Sequence, residues 1–226
     1  MYIPLTDVVT CPRCGPDHAL VLLVERSGER RVLEGEFGCP ACRQRFPVVG
    51  GLADLRAGTG AASEPAPPAP APGADGDGPA PDAAAAERLA ALLGLAAATG
   101  FVTLVGNVAR HAPGIAALVE GVEVVVAGDG VEGWAEAPGV SRVAIDGRLP
   151  FRGWSMRGVA LSGAAADALV EEGARVLVPG GRLVLEGASP DAAERLAAAG
   201  LGVLAAEGGT VVAGKPATVR VAGRVP

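Results

Sequence analysis

The amino-acid sequence predicts an α/β protein built on a doubly wound, mostly parallel sheet, with a small β module at its N-terminus. Three observations lead to this expectation. Short apolar runs alternate with helical patterns after residue 82, all four cysteines lie within the first 42 residues, and a stretch rich in Pro, Ala and Gly separates the two regions. We therefore expect the β module at 1–56, a linker at 57–81 that keeps two hydrophobic cores apart, and the α/β domain at 82–226.

The composition limits both the kind of core and the kind of partner. Hydrophobic residues make up 50% of the 226 residues but aromatic residues only 3%, so Ala, Val and Leu must fill the interior. The formal net charge is -6, and residues 1–56 carry seven basic and seven acidic side chains, so the whole excess of acid lies outside that module. An acidic body repels phosphate backbones, which argues against a nucleic-acid partner.

The start of the chain and one apolar stretch bear on cellular location. The first residues show no basic start followed by an apolar run, so we expect a cytoplasmic protein. The segment 89–109 has no charged residue and is long enough to cross a bilayer. Gly94, Thr99 and Gly100 interrupt it, which favours a helix followed by a strand and no membrane span.

The cysteines form two C-x-x-C pairs that are separated by 24 residues. Each such turn points two thiolates at one place, and two turns together supply the four sulfurs of a closed tetrahedral zinc site. A redox pair would need a surrounding βαβ unit, and a cytosolic setting argues against disulfides. We therefore predict a structural zinc with no open position for chemistry. Its ligands would be Cys11, Cys14, Cys39 and Cys42.

The rest of the module indicates a ribbon. The runs "ALVLLVE" and "RRVLEGEFG" read as two strands joined by a turn at "RSGE". Together with the two cysteine pairs, the ending Phe46-Pro47-Val48 followed by Gly51 and Leu52 resembles the small zinc-ribbon family that activates methyltransferases of tRNA, rRNA and release factors. That resemblance implies a protein partner, held by adding a β-strand to the edge of a methyltransferase sheet. Tethering by the linker would allow the ribbon to serve its own neighbour in cis.

The region after the linker alternates strands and helices. We expect a helix from Asp82 to Gly100 and a hairpin around Gly208 and Gly209. A second helix is predicted before the last parallel strand, and a third is capped by Ser189. Strands are predicted at "FVTLV", "VEVVVA", "SRVAI", "RGVALSG" and "GRLVLEG".

This order, with "IDGRLPF" and "VLVPGGRLVL", resembles the class I S-adenosylmethionine-dependent methyltransferases. The resemblance implies a cofactor site with Gly106 in the loop after the first strand, Asp129 near the ribose and Asp146 on the adenine side. The sequence departs from the family in that loop. Residues 104–110 keep one glycine, have Leu104 in place of the acid, and have Val108 where a side chain would crowd the ligand. This departure puts S-adenosylmethionine binding in doubt.

Two functions remain open at this stage. The first is a non-catalytic, protein-binding or structural subunit made of a zinc ribbon and a degenerate methyltransferase-like domain. The second is an active, divergent methyltransferase with its activator ribbon fused in cis, still holding the cofactor through Gly106, Asp129 and Asp146. Trp134 and Trp154, placed by the sequence at the carboxyl ends of the second and third strands, are either interface anchors or loop packing.

Overall fold

The N-terminal module is a β structure. The computed structural model describes residues 1–57, 82–96, 99–134 and 136–217, so the predicted linker apart from Ala57 lies outside the described residues. A 3₁₀ turn at Ile3–Asp7 precedes the strands. The strands are β1 (Thr10–Cys11), β2 (Gly15–Ala19), β3 (Val21–Gly28), β4 (Arg31–Gly38), β5 (Arg45–Val49) and β6 (Leu52–Asp54).

The turn between β3 and β4 lies later than the sequence predicted. Ser27 and Gly28 remain paired in the ladder, and Glu29 and Arg30 make the turn with φ values of 49° and 62°. A two-residue turn with both residues in the left-handed region matches the right-handed twist of the paired strands. Gly28 therefore lies next to the turn and not within it.

The second region supplies the remaining helices and strands. Its helix α1 starts after Asp82, whose carboxylate accepts a hydrogen bond from the Ala84 amide, and ends at Gly94 with φ 72°, not at Gly100. Asp191, not Ser189, occupies the N-cap position of the last helix, and its side chain makes no capping hydrogen bond. The elements are α1 (Ala83–Leu93), β7 (Gly100–Val105), α2 (Ala112–Leu118), β8 (Val122–Gly128), β9 (Val140–Ala144), β10 (Met156–Ser162), α3 (Ala164–Ala168), α4 (Val170–Val176), β11 (Leu177–Glu186), α5 (Ala192–Ala198), β12 (Gly202–Glu207) and β13 (Thr210–Gly214).

The sheet confirms the predicted fold class. Its strand order is β12-β13-β11-β10-β7-β8-β9-β6-β5-β4-β3, with parallel pairing from β11 through β6. The predicted hairpin around Gly208 and Gly209 is β12–β13, which adds antiparallel strands beside β11. From β7 the chain adds β8 and β9 on one side and then β10 and β11 on the other, as in a doubly wound, Rossmann-like sheet of methyltransferase type. None of the helices in the described part of the chain is long and apolar enough to cross a membrane.

Strand β6 joins the N-terminal module to the α/β domain. It runs parallel to β9, with Leu52 opposite Arg142 and Asp54 opposite Ala144. The amide of Leu55 continues the ladder by donating to the Ala144 carbonyl at 2.9 Å. One eleven-stranded sheet therefore runs through both regions. This is strand addition within a single chain.

A shared hydrophobic core accompanies the shared sheet. One cluster of buried side chains includes Leu5, Phe37 and Phe46 from the module and Phe151 and Met156 from the α/β domain, all fully enclosed. The expectation of two cores kept apart by the linker is therefore wrong. Loss of packing in the module should loosen the α/β domain as well.

A buried ion pair crosses the same junction. Arg31 of β4 donates to both carboxylate oxygens of Glu123 in β8 at 3.0 Å, and Glu123 is only 7% exposed. The Ser141 hydroxyl donates to Glu123 at 2.6 Å and accepts from the Tyr2 amide at 2.9 Å. The carboxylate is thus satisfied only when the module is in place. Removing one member of a buried pair leaves the other charge without compensation.

We predict that Glu123→Gln lowers the free energy of unfolding by about 3 kcal/mol, because Arg31 loses its charged partner in a largely dry site. The matched control is Glu36→Gln, which breaks the exposed pair with Arg45 and should cost less than about 1 kcal/mol. Urea unfolding followed by circular dichroism measures both. Equal effects of the two substitutions would show that the junction contributes no more than a surface contact.

Candidate metal and cofactor sites

The four cysteines converge at one end of the module. Cys11 ends β1 and Cys14 lies in the turn to β2, while Cys39 follows β4 and Cys42 lies in the turn before β5. The sulfur atoms of Cys11 and Cys42 are 3.7 Å apart, those of Cys14 and Cys39 are 3.8 Å apart, and all four lie within 4.8 Å of one another. A tetrahedron with Zn–S bonds of about 2.3 Å has sulfurs about 3.8 Å apart. The arrangement can therefore hold a metal ion, and it fits zinc.

The neighbours of the cysteine thiols shift the pKa values of three of them. A hydrogen bond from the backbone of Gln44 lowers the pKa of the Cys42 thiol to about 7. The pKa of the Cys14 thiol is raised to about 12 by the hydrogen bond between Cys14 and Cys42. Burial raises the pKa of the Cys11 thiol. Four thiolates at these distances repel one another unless a positive charge lies between them. A divalent ion would offset that repulsion and displace the remaining protons.

The predicted cofactor residues each follow a parallel strand of the α/β sheet. Gly106 follows β7, Asp129 follows β8 directly, and Asp146 lies two residues past the end of β9. The crevice outside the carboxyl ends of parallel strands, where the order reverses, is the usual ligand site of such sheets. The three residues therefore share the edge that a nucleotide cofactor would use.

Two residues of the loop after β7, Gly106 and Val108, contact Ser162 at the end of β10. A Cβ atom at Gly106, where φ is 83°, would lie 2.4 Å from the Ser162 carbonyl oxygen and 2.8 Å from its hydroxyl. Packing against the end of β10 is thus sufficient reason for a glycine. The Ser162 hydroxyl accepts the Val108 amide at 3.0 Å, and the Val108 side chain is 1% exposed within the core. The Val108 amide and side chain are therefore engaged by the protein itself and do not fit a role in holding the methionine moiety of S-adenosylmethionine.

The acids of this edge contact the end of the N-terminal module. The Asp146 carboxylate accepts a hydrogen bond from the Ala57 amide at 2.9 Å. Arg56 lies 2.8 Å from Glu132 and 3.7 Å from Asp129, whose side chain is 92% exposed. Sequence reasoning missed Arg56, because only the pairing of β6 with β9 brings it to this edge, and with it missed the contact to Glu132.

The two tryptophans lie in different surroundings. Trp134 is partly buried against the domain core, and its carbonyl accepts a hydrogen bond from Arg142. Trp154 is 60% exposed and precedes β10, with its amide donating to the Arg175 carbonyl. The prediction that Trp154 lies at the carboxyl end of the third strand is wrong, because the long loop after β9 has by then returned to the amino ends. The Lys215 ammonium lies 5.8 Å from its ring centroid.

Comparison with protein-family models and with curated proteins finds no match. Similar solved structures include the complex of the Haloferax volcanii Trm112 methyltransferase activator with a methyltransferase, at 18% identity over 58% of this chain and 89% of that chain, with a TM-score of 0.44.

 The geranyl diphosphate C-methyltransferase from Streptomyces coelicolor is 13% identical over 58% of this chain and 78% of its own, with a TM-score of 0.47. The glycopeptide N-methyltransferase MtfA is 18% identical over 62% of this chain and 89% of its own, with a TM-score of 0.46.

We predict that the protein prepared without chelator carries one zinc ion per chain. Cys11→Ser and Cys39→Ser should each lose the metal and lower the melting temperature of the whole chain, because the module shares its core with the α/β domain. His18→Ala is the control, since His18 is an exposed potential ligand outside the cysteine cluster and should keep full occupancy. Elemental analysis and thermal unfolding measure both effects. Wild-type protein that contains no metal and has the same melting temperature as the cysteine variants would contradict the site.

Proposed function

We propose that this protein is a non-catalytic, protein-binding or structural subunit, in which a zinc ribbon stabilises a degenerate methyltransferase-like domain in cis. The observation that carries the proposal is the closed loop after β7. Its amide at Val108 is bonded to Ser162 and its side chain is part of the core. Gly106 and Asn107 remain exposed, but the Val108 amide and side chain are not available to a cofactor.

The charged end of S-adenosylmethionine makes this loss severe. An amino-acid moiety buried in a cleft needs hydrogen bonds and an acidic partner to replace water. Leu104, which stands at the place of that acid, is fully buried in β7, and Gly106 is held against Ser162. Opening the loop would expose Val108 and break its hydrogen bond, so binding would have to offset both costs.

The active-enzyme alternative rests on a different observation. Asp129 and Asp146 still follow β8 and β9 at the edge where a ribose and an adenine would lie. Retained acids at one end of the site would suffice for a weak nucleoside contact. These acids provide no contact for the methionine end of the cofactor, so the non-catalytic function is the better supported of the two.

The ribbon has its strand partner within the chain. Strand β6 covers the edge of β9, so this edge is not available to a second protein. The zinc would then be structural, holding the hairpin β3–β4 and strand β5 in the register that presents β6. A partner protein must therefore dock elsewhere, and the exposed Trp154 is the residue best suited to anchor it.

Calorimetry with S-adenosylmethionine tests the proposal. We expect no binding up to about 1 mM ligand, which corresponds to an affinity weaker than about 4 kcal/mol. Asp146→Ala is the matched variant and should behave like the wild type. Micromolar binding to the wild type that disappears in Asp146→Ala would favour the active enzyme instead.

The partner surface has its own test. Affinity purification from the native cell should recover a stoichiometric complex, and Trp154→Ala should reduce its yield at least tenfold, because a central exposed Trp can contribute about 2 kcal/mol or more to an interface. Leu118→Ala, which truncates an exposed apolar residue on α2, is the control and should leave the yield unchanged. Equal recovery with both variants would exclude Trp154 as the anchor.

A further inference from the structure

The chain that leaves β6 runs along the carboxyl ends of the α/β strands. Because β6 is parallel to β9, its last residues arrive at the same edge as the end of β9. The Leu55 amide donates to the Ala144 carbonyl at 2.9 Å, and the Ala57 amide donates to the Asp146 carboxylate at 2.9 Å. An antiparallel strand would have carried these residues to the opposite edge.

Arg56, in the middle of this segment, reaches across the end of β9. Its guanidinium makes two hydrogen bonds to Asp54, at 2.9 and 2.6 Å, and an ion pair with Glu132 at 2.8 Å. It also lies 3.7 Å from Asp129. The side chain is 31% exposed, and Glu132 is 22% exposed, so part of this charge network is shielded from water. Charge-assisted hydrogen bonds of this kind are stronger than neutral ones.

The position of the network matters more than its strength. In doubly wound sheets the acid at the end of the second strand accepts hydrogen bonds from the ribose hydroxyls of a bound nucleotide. Asp129 directly follows β8, and Asp146 follows the neighbouring strand β9. The segment thus touches both acids of the nucleoside edge.

We propose that the segment Leu55–Ala57 is an intramolecular occupant of the nucleoside edge of the cleft. The Ala57 amide donates a hydrogen bond to Asp146, and the Arg56 guanidinium forms an ion pair with Asp129 at 3.7 Å. These two acids are the groups that adenine and ribose donors would use. The inference rests on the proposed function only in that the wild-type cleft holds no S-adenosylmethionine. Because the segment is covalently attached, its effective concentration exceeds that of a free nucleoside, and it excludes adenosine-containing ligands.

Adenosine is the appropriate probe, because it lacks the methionine moiety and is insensitive to the closed loop at Val108. We expect no saturable binding of adenosine to the zinc-loaded wild type up to about 1 mM by calorimetry. Arg56→Ala should bind adenosine with a Kd near 100 µM, at least about tenfold tighter than the wild-type limit. Adding Asp129→Asn to that variant should abolish the binding. Arg45→Ala, which removes an exposed arginine of the same module, is the control and should not bind.

A second variant and a second measurement guard against misfolding. Ala57→Pro removes the amide donor to Asp146 without changing the Arg56 side chain and should also admit adenosine. In the wild type, hydrogen exchange at the Ala57 amide should be slow. Rapid exchange there, or variants that keep their zinc and still do not bind adenosine, would overturn the inference. Wild-type binding of S-adenosylmethionine would instead overturn the proposed function, so the two failures are distinguishable.

Discussion

The parallel pairing of β6 with β9 is the contact on which the other features of this molecule depend. It involves three residue pairs, from Leu52 opposite Arg142 to Asp54 opposite Ala144. An uncovered edge at β9 would present unpaired backbone groups beside an apolar core, which is a site of aggregation in many sheet proteins. Covering it within the chain removes that liability. The same pairing brings Arg31 to Glu123, and without it the carboxylate would keep only Ser141 as a side-chain partner.

The junction also determines how metal binding is linked to stability. The cysteine turns hold the ends of β4 and β5, and these strands align β6 for its partner. Because Phe37 and Phe46 belong to the same buried cluster as Phe151 and Met156, the free energy of binding a metal at the cysteines would contribute to the stability of the whole core. A ribbon joined only by a tether would contribute nothing to its neighbour's stability.

Local features of this fold could be predicted from the sequence, and long-range ones could not. The strands "VEVVVA" and "RGVALSG", the start of α1 at Asp82 and the cysteine cluster depend on neighbouring residues or on a fixed spacing. The helix end at Gly94 was missed because Thr99 and Gly100 offered an equally good stop signal six residues later. The single sheet, and with it the position of Arg56, depends on a register between residues about 90 apart, which no local pattern encodes.

The loop after β7 shows how a glycine can be misleading when it is counted without its surroundings. A glycine in a cofactor loop and a glycine packed against a strand both require the absence of a Cβ atom, so a motif cannot separate them. At Gly106 the neighbour is Ser162 at 2.4 Å from the position of a Cβ, which means that the protein itself occupies that space. The same reasoning applies to the acids at the strand ends. Asp129 and Asp146 lie beside Arg56 and the Ala57 amide, so each has a partner within the chain and need not indicate a cofactor.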